Sequence, residues 1–162
     1  MIRSPNPDLD LTISRVIKAP RSTIWNAWTD PRSFEQWWVP APAKCKVTEM
    51  ELSPGGALLT EISENGGDFA PHMNACFLAV DALERIVFTT CLTGGWRPAE
   101  QPFITAIISL KDHPDGTDYA AHVMHKSNAD RNMHIDLGFS DGWGTVIEQL
   151  AKLVEKRAQR PA

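Results

Sequence analysis

Cysteine is scarce in this chain: Cys45, Cys76 and Cys91 among 162 residues, odd in number and never in a C-x-x-C pair. Such a dispersed set excludes a disulfide framework and a thiolate zinc site of ordinary spacing. Two of the three sit in apolar strands, where a reduced, buried thiol is the expected state. Long apolar runs are missing too. No window approaches the roughly 18 uninterrupted apolar residues of a membrane span. The opening MIRSPNPDLD carries no apolar core of the signal-peptide kind, so a cytoplasmic protein is expected, with no membrane partner. Charge of one sign is not concentrated anywhere: 16 Lys and Arg face 20 Asp and Glu, net −4. A nucleic-acid binder needs a basic face to neutralise phosphates, and none is present. Internal repeats and low-complexity tracts are absent as well. What remains is a chain long enough to bury its own core without staples.

Tryptophan is plentiful and unevenly placed. Four of the six, Trp25, Trp28, Trp37 and Trp38, fall within VIKAPRSTIWNAWTDPRSFEQWW (16–38). Residues 1–8 hold two prolines and no periodicity, which predicts a flexible tail; a second short tail is expected at 159–162, with a single domain over 9–158. Leu9, Leu11 and Ile13 alternate with polar residues, the pattern of a half-buried strand. Pro20 suits the first turn of a helix, with Ile24, Ala27 and Trp28 on one face. Asp30-Pro31 ends it and starts another short helix bearing Phe34, Trp37 and Trp38. That much aromatic surface requires a large apolar partner.

Strands are predicted at Cys45–Leu52, Ala57–Ser63, Met73–Val80, Arg85–Leu92, Phe103–Lys111 and Asp118–Lys126. Asn65-Gly66-Gly67-Asp68 is a hairpin turn by composition, His113-Pro114-Asp115-Gly116 another, and Thr93–Pro98 a loop. From about Ala129 to Arg157 the spacing of Trp143, Val146, Ile147, Leu150, Leu153 and Val154 predicts one long amphipathic helix. Gly138, Gly142 and Gly144 lie near its start. Each costs a helix interior about 1 kcal/mol relative to alanine. Three in seven residues imply either a close approach to the sheet or space kept open for a ligand.

Five segments carry a resemblance: VIKAPRSTIWNAWTDP (16–31), FEQWWVP (34–40), PGGA (54–57), ERIVFT (84–89) and GFSDGW (138–143). In this order they resemble the START/SRPBCC superfamily, and within it the branch named for the activator of the heat-shock-protein-90 ATPase. The likeness covers about residues 9 to 157. It implies an α+β helix-grip fold: a curved antiparallel sheet wrapped around a long C-terminal helix, two short helices after the first strand, and a cavity between sheet and helix. It brings no common catalytic triad, metal site or cofactor box. Its members include lipid and hormone carriers, cyclase-like enzymes, co-chaperone domains and small bacterial proteins of unknown role. Two departures stand out: no glycine near Asn74-Ala75, and Ile135 where a second acidic residue is expected.

Within that frame a few residues are candidates for chemistry. His122 and His125 are three apart on a strand, so they point to opposite faces and cannot chelate one ion without a bulge. His72 and His113 lack H-E-x-x-H or H-x-H partners; no metal and no cofactor is expected. His125 shares a face with Tyr119, Ala121 and Val123 and looks into the cavity, as a core histidine or as a polar anchor that can move a proton near neutrality. Asp136, seven residues before Trp143, is placed on the inward helical stripe. His134 and Asp130 are read as surface or capping groups. Trp38, Trp96 and Trp143 are candidates for the cavity wall, Trp96 as a loop residue at its rim. Met73, Phe88 and Phe139 complete the expected ligand-binding set. No nucleophile motif is present.

The leading expectation is a small-molecule binding protein, its guest a hydrophobic or aromatic metabolite or a lipid. A cyclase, dehydratase or hydrolase using His125 is an alternative, as is a co-chaperone-like interaction domain with a chaperone partner and a role in stress response. A homodimer is compatible with the sequence.

Overall fold

The computed structural model describes residues 4–159. Of the two expected tails, residues 1–3 and 160–162 lie outside the described residues. Asn6 to Asp10 closes a hydrogen-bonded turn in which the Asn6 carbonyl accepts from the Leu9 and Asp10 amides. Strand β1 (Asp10–Ile17) leads to the short helices α1 (Arg21–Thr29) and α2 (Pro31–Phe34). An antiparallel run follows: β2 (Lys44–Met50), β3 (Ala57–Ser63), β4 (Ala70–Asp81) and β5 (Arg85–Thr89). A small hairpin, β6 (Leu92–Thr93) with β7 (Arg97–Pro98), occupies the stretch expected to be a loop. The long strands β8 (Ile104–His113) and β9 (Gly116–His125) precede helices α3 (Asn128–Asp136) and α4 (Phe139–Ala158).

Seven strands form one sheet in the order β1-β9-β8-β5-β4-β3-β2. Every pairing in it is antiparallel. Register shifts at Val47/Glu49, Thr60/Glu61 and Phe77/Ala79 interrupt three consecutive ladders. An extra residue on one strand bends it and increases the local twist, so these shifts curl the β2–β5 half of the sheet. The concave face alternates as the sequence reads. Thr117, Tyr119, Ala121, Val123 and His125 of β9 are buried, with intermediate residues between them. Ile86 and Phe88 of β5 and Ala106 and Ile108 of β8 continue the face.

Helix α4 lies in this trough and buries Phe139, Val146, Ile147, Leu150, Ala151 and Val154. Gln149 ties it to the segment after α2. Its amide nitrogen donates to the Trp37 carbonyl at 3.0 Å and the Val39 carbonyl at 2.8 Å, while its oxygen accepts from the Ala41 amide at 2.8 Å. One side chain thereby satisfies three backbone groups in a stretch broken by Pro40 and Pro42, where no ladder can do so. The aromatic helices are pinned at the other end of the core. Trp28 is fully buried, and its indole N–H donates to the Tyr119 hydroxyl at 2.8 Å.

Helix α2 ends at Phe34, so Trp37 and Trp38 follow it in a turn rather than ride on it, and the C-terminal helix departs further from its expectation. The helix predicted over 129–157 is two helices, parted at Leu137-Gly138. Gly138 adopts φ 91°, a left-handed conformation that ends one helix and redirects the next. The α3 amide of Asp130 bonds the Ser127 hydroxyl, a proper N-cap. The periodicity counted back from Trp143 therefore does not carry through residue 138.

Candidate functional site

Between the trough and the first turns of α4 lies a cavity of about 220 Å³. Trp38 and Pro40 wall it from the segment after α2, Phe88 and Ile104 from the sheet, and Trp143 and Val146 from α4. Its lining is overwhelmingly carbon. Trp38 stands edge-on to Trp28, Phe88 and Trp143, with ring centroids 5.3, 5.9 and 6.5 Å away. Its Nε1 is the single buried side-chain nitrogen or oxygen among the described residues with no hydrogen-bond partner. Gly142 also borders the cavity. A Cβ built on it would meet nothing within 4 Å. At Gly144 an added Cβ would meet Ile13 Cδ1 at 3.8 Å, an ordinary contact. The three glycines thus have separate reasons: Gly138 turns the chain, Gly142 faces empty space, and Gly144 lies beside β1.

The cavity adjoins a wider, more polar cleft of about 800 Å³, and His72, Met73 and Ile104 border both. Arg97, Glu100, Gln101, Phe103 and His134 line this outer part. The arrangement is an apolar space beside a mixed polar and apolar cleft.

Of the expected residues, Trp38, Met73, Phe88 and Trp143 meet at the inner cavity. Phe139 is buried behind it, its ring 5.4 Å from that of Trp143. His125 is on the inner face as expected, but both its nitrogens are engaged: Nδ1 with the Leu9 carbonyl and Nε2 with His134 Nδ1, each at 2.8 Å. Two expectations need correction. Asp136 lies exposed at the end of α3, because the break at Gly138 rotates it off the stripe that Trp143 continues. Trp96 borders neither the cavity nor the cleft. It is 53% exposed, with its indole lying over Gly55, where an added Cβ would come within 2.6 Å of the ring.

His134, expected at the surface, is the residue that the sequence reading missed. Its ring packs 5.0 Å from both Phe103 and Phe139 and 5.1 Å from His125. On the opposite face of β9, His122 Nε2 pairs with Asp10 Oδ2 at 2.7 Å. Among the described residues, no group of three His, Cys, Asp or Glu side chains converges as metal ligands. Burial pushes the Cys45 thiol up to about 12, with Glu35 adding to the effect, so it is not a thiolate nucleophile at neutral pH.

Desolvation, followed by the neighbouring His125, pushes His134 down to about 4 from the ordinary 6.5. The unfolded chain therefore takes up this proton near pH 6.5, whereas the folded chain resists it until about pH 4. His134 contributes its stability fully above pH 6.5, and that contribution is lost as pH falls toward 4. The groups around it are His125 from β9, Phe103, Phe139 and Trp143, with Arg97, Glu100 and His72 in the cleft. His72 is lowered by desolvation too, so a variant is needed to isolate His134. Urea unfolding at pH 7.5 and pH 5 should show a loss of stability of which a share on the order of 1–2 kcal/mol disappears in His134→Phe, the His72 share remaining. An unchanged pH slope in the variant would contradict this assignment.

A curved antiparallel sheet that grips a C-terminal helix, with two short helices after its first strand, defines the helix-grip class. The chain belongs to the family described as activator of Hsp90 ATPase homolog 1-like protein, whose model matches residues 18–155. This places it in the corresponding branch of the START/SRPBCC superfamily. A crystal structure of a protein from Nitrosomonas europaea is 35% identical, with a TM-score of 0.85 over 94% of this chain and 97% of that one. A Mycobacterium smegmatis protein matches at 24% identity and a TM-score of 0.73, covering 90% of each chain. An AHSA1-like protein from Aeromonas hydrophila shares the fold at 16% identity and a TM-score of 0.67, covering 94% of this chain and 96% of that one. Among curated proteins none matches. No helix among the described residues is long and apolar enough to cross a membrane.

Proposed function

We propose that the chain binds a small hydrophobic or aromatic molecule between its sheet and α4, with the apolar body of the guest among Trp38, Phe88 and Trp143. The observation that carries this reading is Gly142. A glycine within a helix costs up to about 1 kcal/mol relative to alanine, and here the missing side chain leaves open space rather than relieving a clash. The adjoining apolar walls and the polar mouth support the same reading. Family membership is compatible with it.

Catalysis by His125 is less well supported. A general acid or base must reach substrate with a free nitrogen, and neither nitrogen of His125 is free. Thermal-shift measurements against naphthalenes, hydroxylated aromatics and medium-chain fatty acids test the binding proposal. A guest at 100 times its Kd raises stability by about 2.7 kcal/mol, which for a chain of this size is a rise of roughly 5–10 °C. No shift with any of these classes at millimolar concentration overturns the proposal.

A further inference from the structure

The hydrogen bonds around His125 fix protons in one direction. The Leu9 carbonyl can only accept, so His125 Nδ1 carries a hydrogen and donates to it. In the neutral ring Nε2 is then a lone pair. It faces His134 Nδ1 at 2.8 Å, so His134 Nδ1 must be the donor. His134 Nε2 is left bare. It makes no hydrogen bond to the protein, yet it is not among the buried unpartnered atoms, so solvent reaches it. The residue lines the cleft, and its ring centroid is 6.4 Å from that of Trp143 on the cavity wall.

We infer that His134 Nε2 is a hydrogen-bond acceptor of fixed tautomer, which selects guests carrying an O–H or N–H donor at the end of an aromatic or apolar body. The inference deepens the binding proposal and rests on it. Three features hold the acceptor in place. The chain of donors ends on a backbone carbonyl, which cannot reverse. Phe103 and Phe139 pack against the imidazole from two elements and limit its rotation. The low basicity of His134 keeps the lone pair free at neutral pH, and it also makes the ring a poor general base there. A second imidazole, His72, borders the same cleft. Its Nδ1 is hydrogen-bonded to the Thr60 hydroxyl, which also accepts from the Met73 amide; a hydroxyl can donate or accept here, so of the two only His134 has its tautomer set, through His125, by a backbone carbonyl.

The experiment compares 2-naphthol with 2-methylnaphthalene, matched in shape and differing in the donor, on the full-length wild-type chain and on H134F. Phenylalanine preserves an aromatic ring between Phe103 and Phe139 and removes the lone pair. The ratio of the two affinities should fall about five- to tenfold from wild type to H134F, while 2-methylnaphthalene binds both alike. H125F, which removes the acceptor for the His134 Nδ1–H, should erode the ratio in the same direction. An intact chain with an unchanged ratio overturns the inference and leaves the cavity proposal standing. If neither probe nor any medium-chain fatty acid binds wild type, the cavity proposal fails instead. Imidazole ¹⁵N spectra of the free protein then decide on their own: a proton on His134 Nδ1 at pH 7 sustains the relay, and a proton on Nε2 ends it. H134Q guards against misfolding of H134F, because its amide oxygen can restore an acceptor and with it part of the ratio.

Discussion

Replacing Trp28 by alanine should remove most of the stability of the fold. Trp28 is fully buried. Its ring lies 5.2 Å from Phe34, 5.3 Å from Trp37 and from Trp38, and 6.0 Å from Phe88. It touches every aromatic layer between the short helices and the sheet. Truncating a buried tryptophan costs about 3–5 kcal/mol through lost transfer energy and the cavity left behind. A second penalty follows, because the Tyr119 hydroxyl loses the indole N–H that reaches it at 2.8 Å. Tyr119 is itself buried, and burial holds its phenol well above the ordinary range. It cannot compensate by ionising, and a buried polar group stripped of its partner costs about 1–3 kcal/mol. The sum, on the order of 5 kcal/mol, is comparable to the whole stability of a small domain. For a chain of this size it corresponds to a melting temperature lower by roughly 10–20 °C. Trp28→Phe separates the two contributions, since it keeps a ring and loses the N–H; its loss should be about 2 kcal/mol. Calorimetry checks both variants. A Trp28→Ala loss below 1 kcal/mol would mean that the aromatic cluster is not the keystone of the core.

Much of this core was legible because it follows simple periods. Tyr119, Ala121, Val123 and His125 alternate along a strand, and alternation has one structural meaning when one face is buried. Phe88 and Trp143 stand on periodic elements whose inner face the neighbours define, and Trp38, in the turn after α2, joins them at the cavity wall. The misplacement of Asp136 and His134 has one cause. A glycine within a helical pattern reads alike whether it stops the helix, faces a void or meets a neighbouring side chain. Gly138 stops it. Counting back through that stop put Asp136 inward and His134 outward, the reverse of what the break produces. The local signal that could have corrected this was Leu137-Gly138 itself, a helix-terminating pair that begins ten residues after the Ser127 cap. Trp96 failed for another reason. Its backbone φ of 65° turns the ring onto Gly55, and left-handed geometry at a tryptophan has no signature in hydrophobic pattern.

Filling Gly142 should move stability and binding in opposite directions. The residue sits in the first turns of α4, with its amide bonded to the Gly138 carbonyl at 2.8 Å and no positive φ to defend. Gly142→Ala therefore gains helix propensity, up to about 1 kcal/mol, with nothing within 4 Å to clash against. Gly142→Leu keeps much of that gain and adds apolar burial among Trp38, Met73 and Val146, because its side chain enters the cavity of about 220 Å³. Both variants should melt a few degrees higher than wild type. The leucine side chain also occupies the volume that a guest needs, so affinity for 2-methylnaphthalene should fall at least about 100-fold, a loss of roughly 3 kcal/mol. Gly144→Ala is the control: its Cβ would meet Ile13 at 3.8 Å, so it should gain helix stability and leave binding alone. A protein selected only to fold would gain from a side chain at residue 142. Under the binding proposal the position is held empty for a guest, and a Gly142→Leu chain that binds as well as wild type would remove that reason.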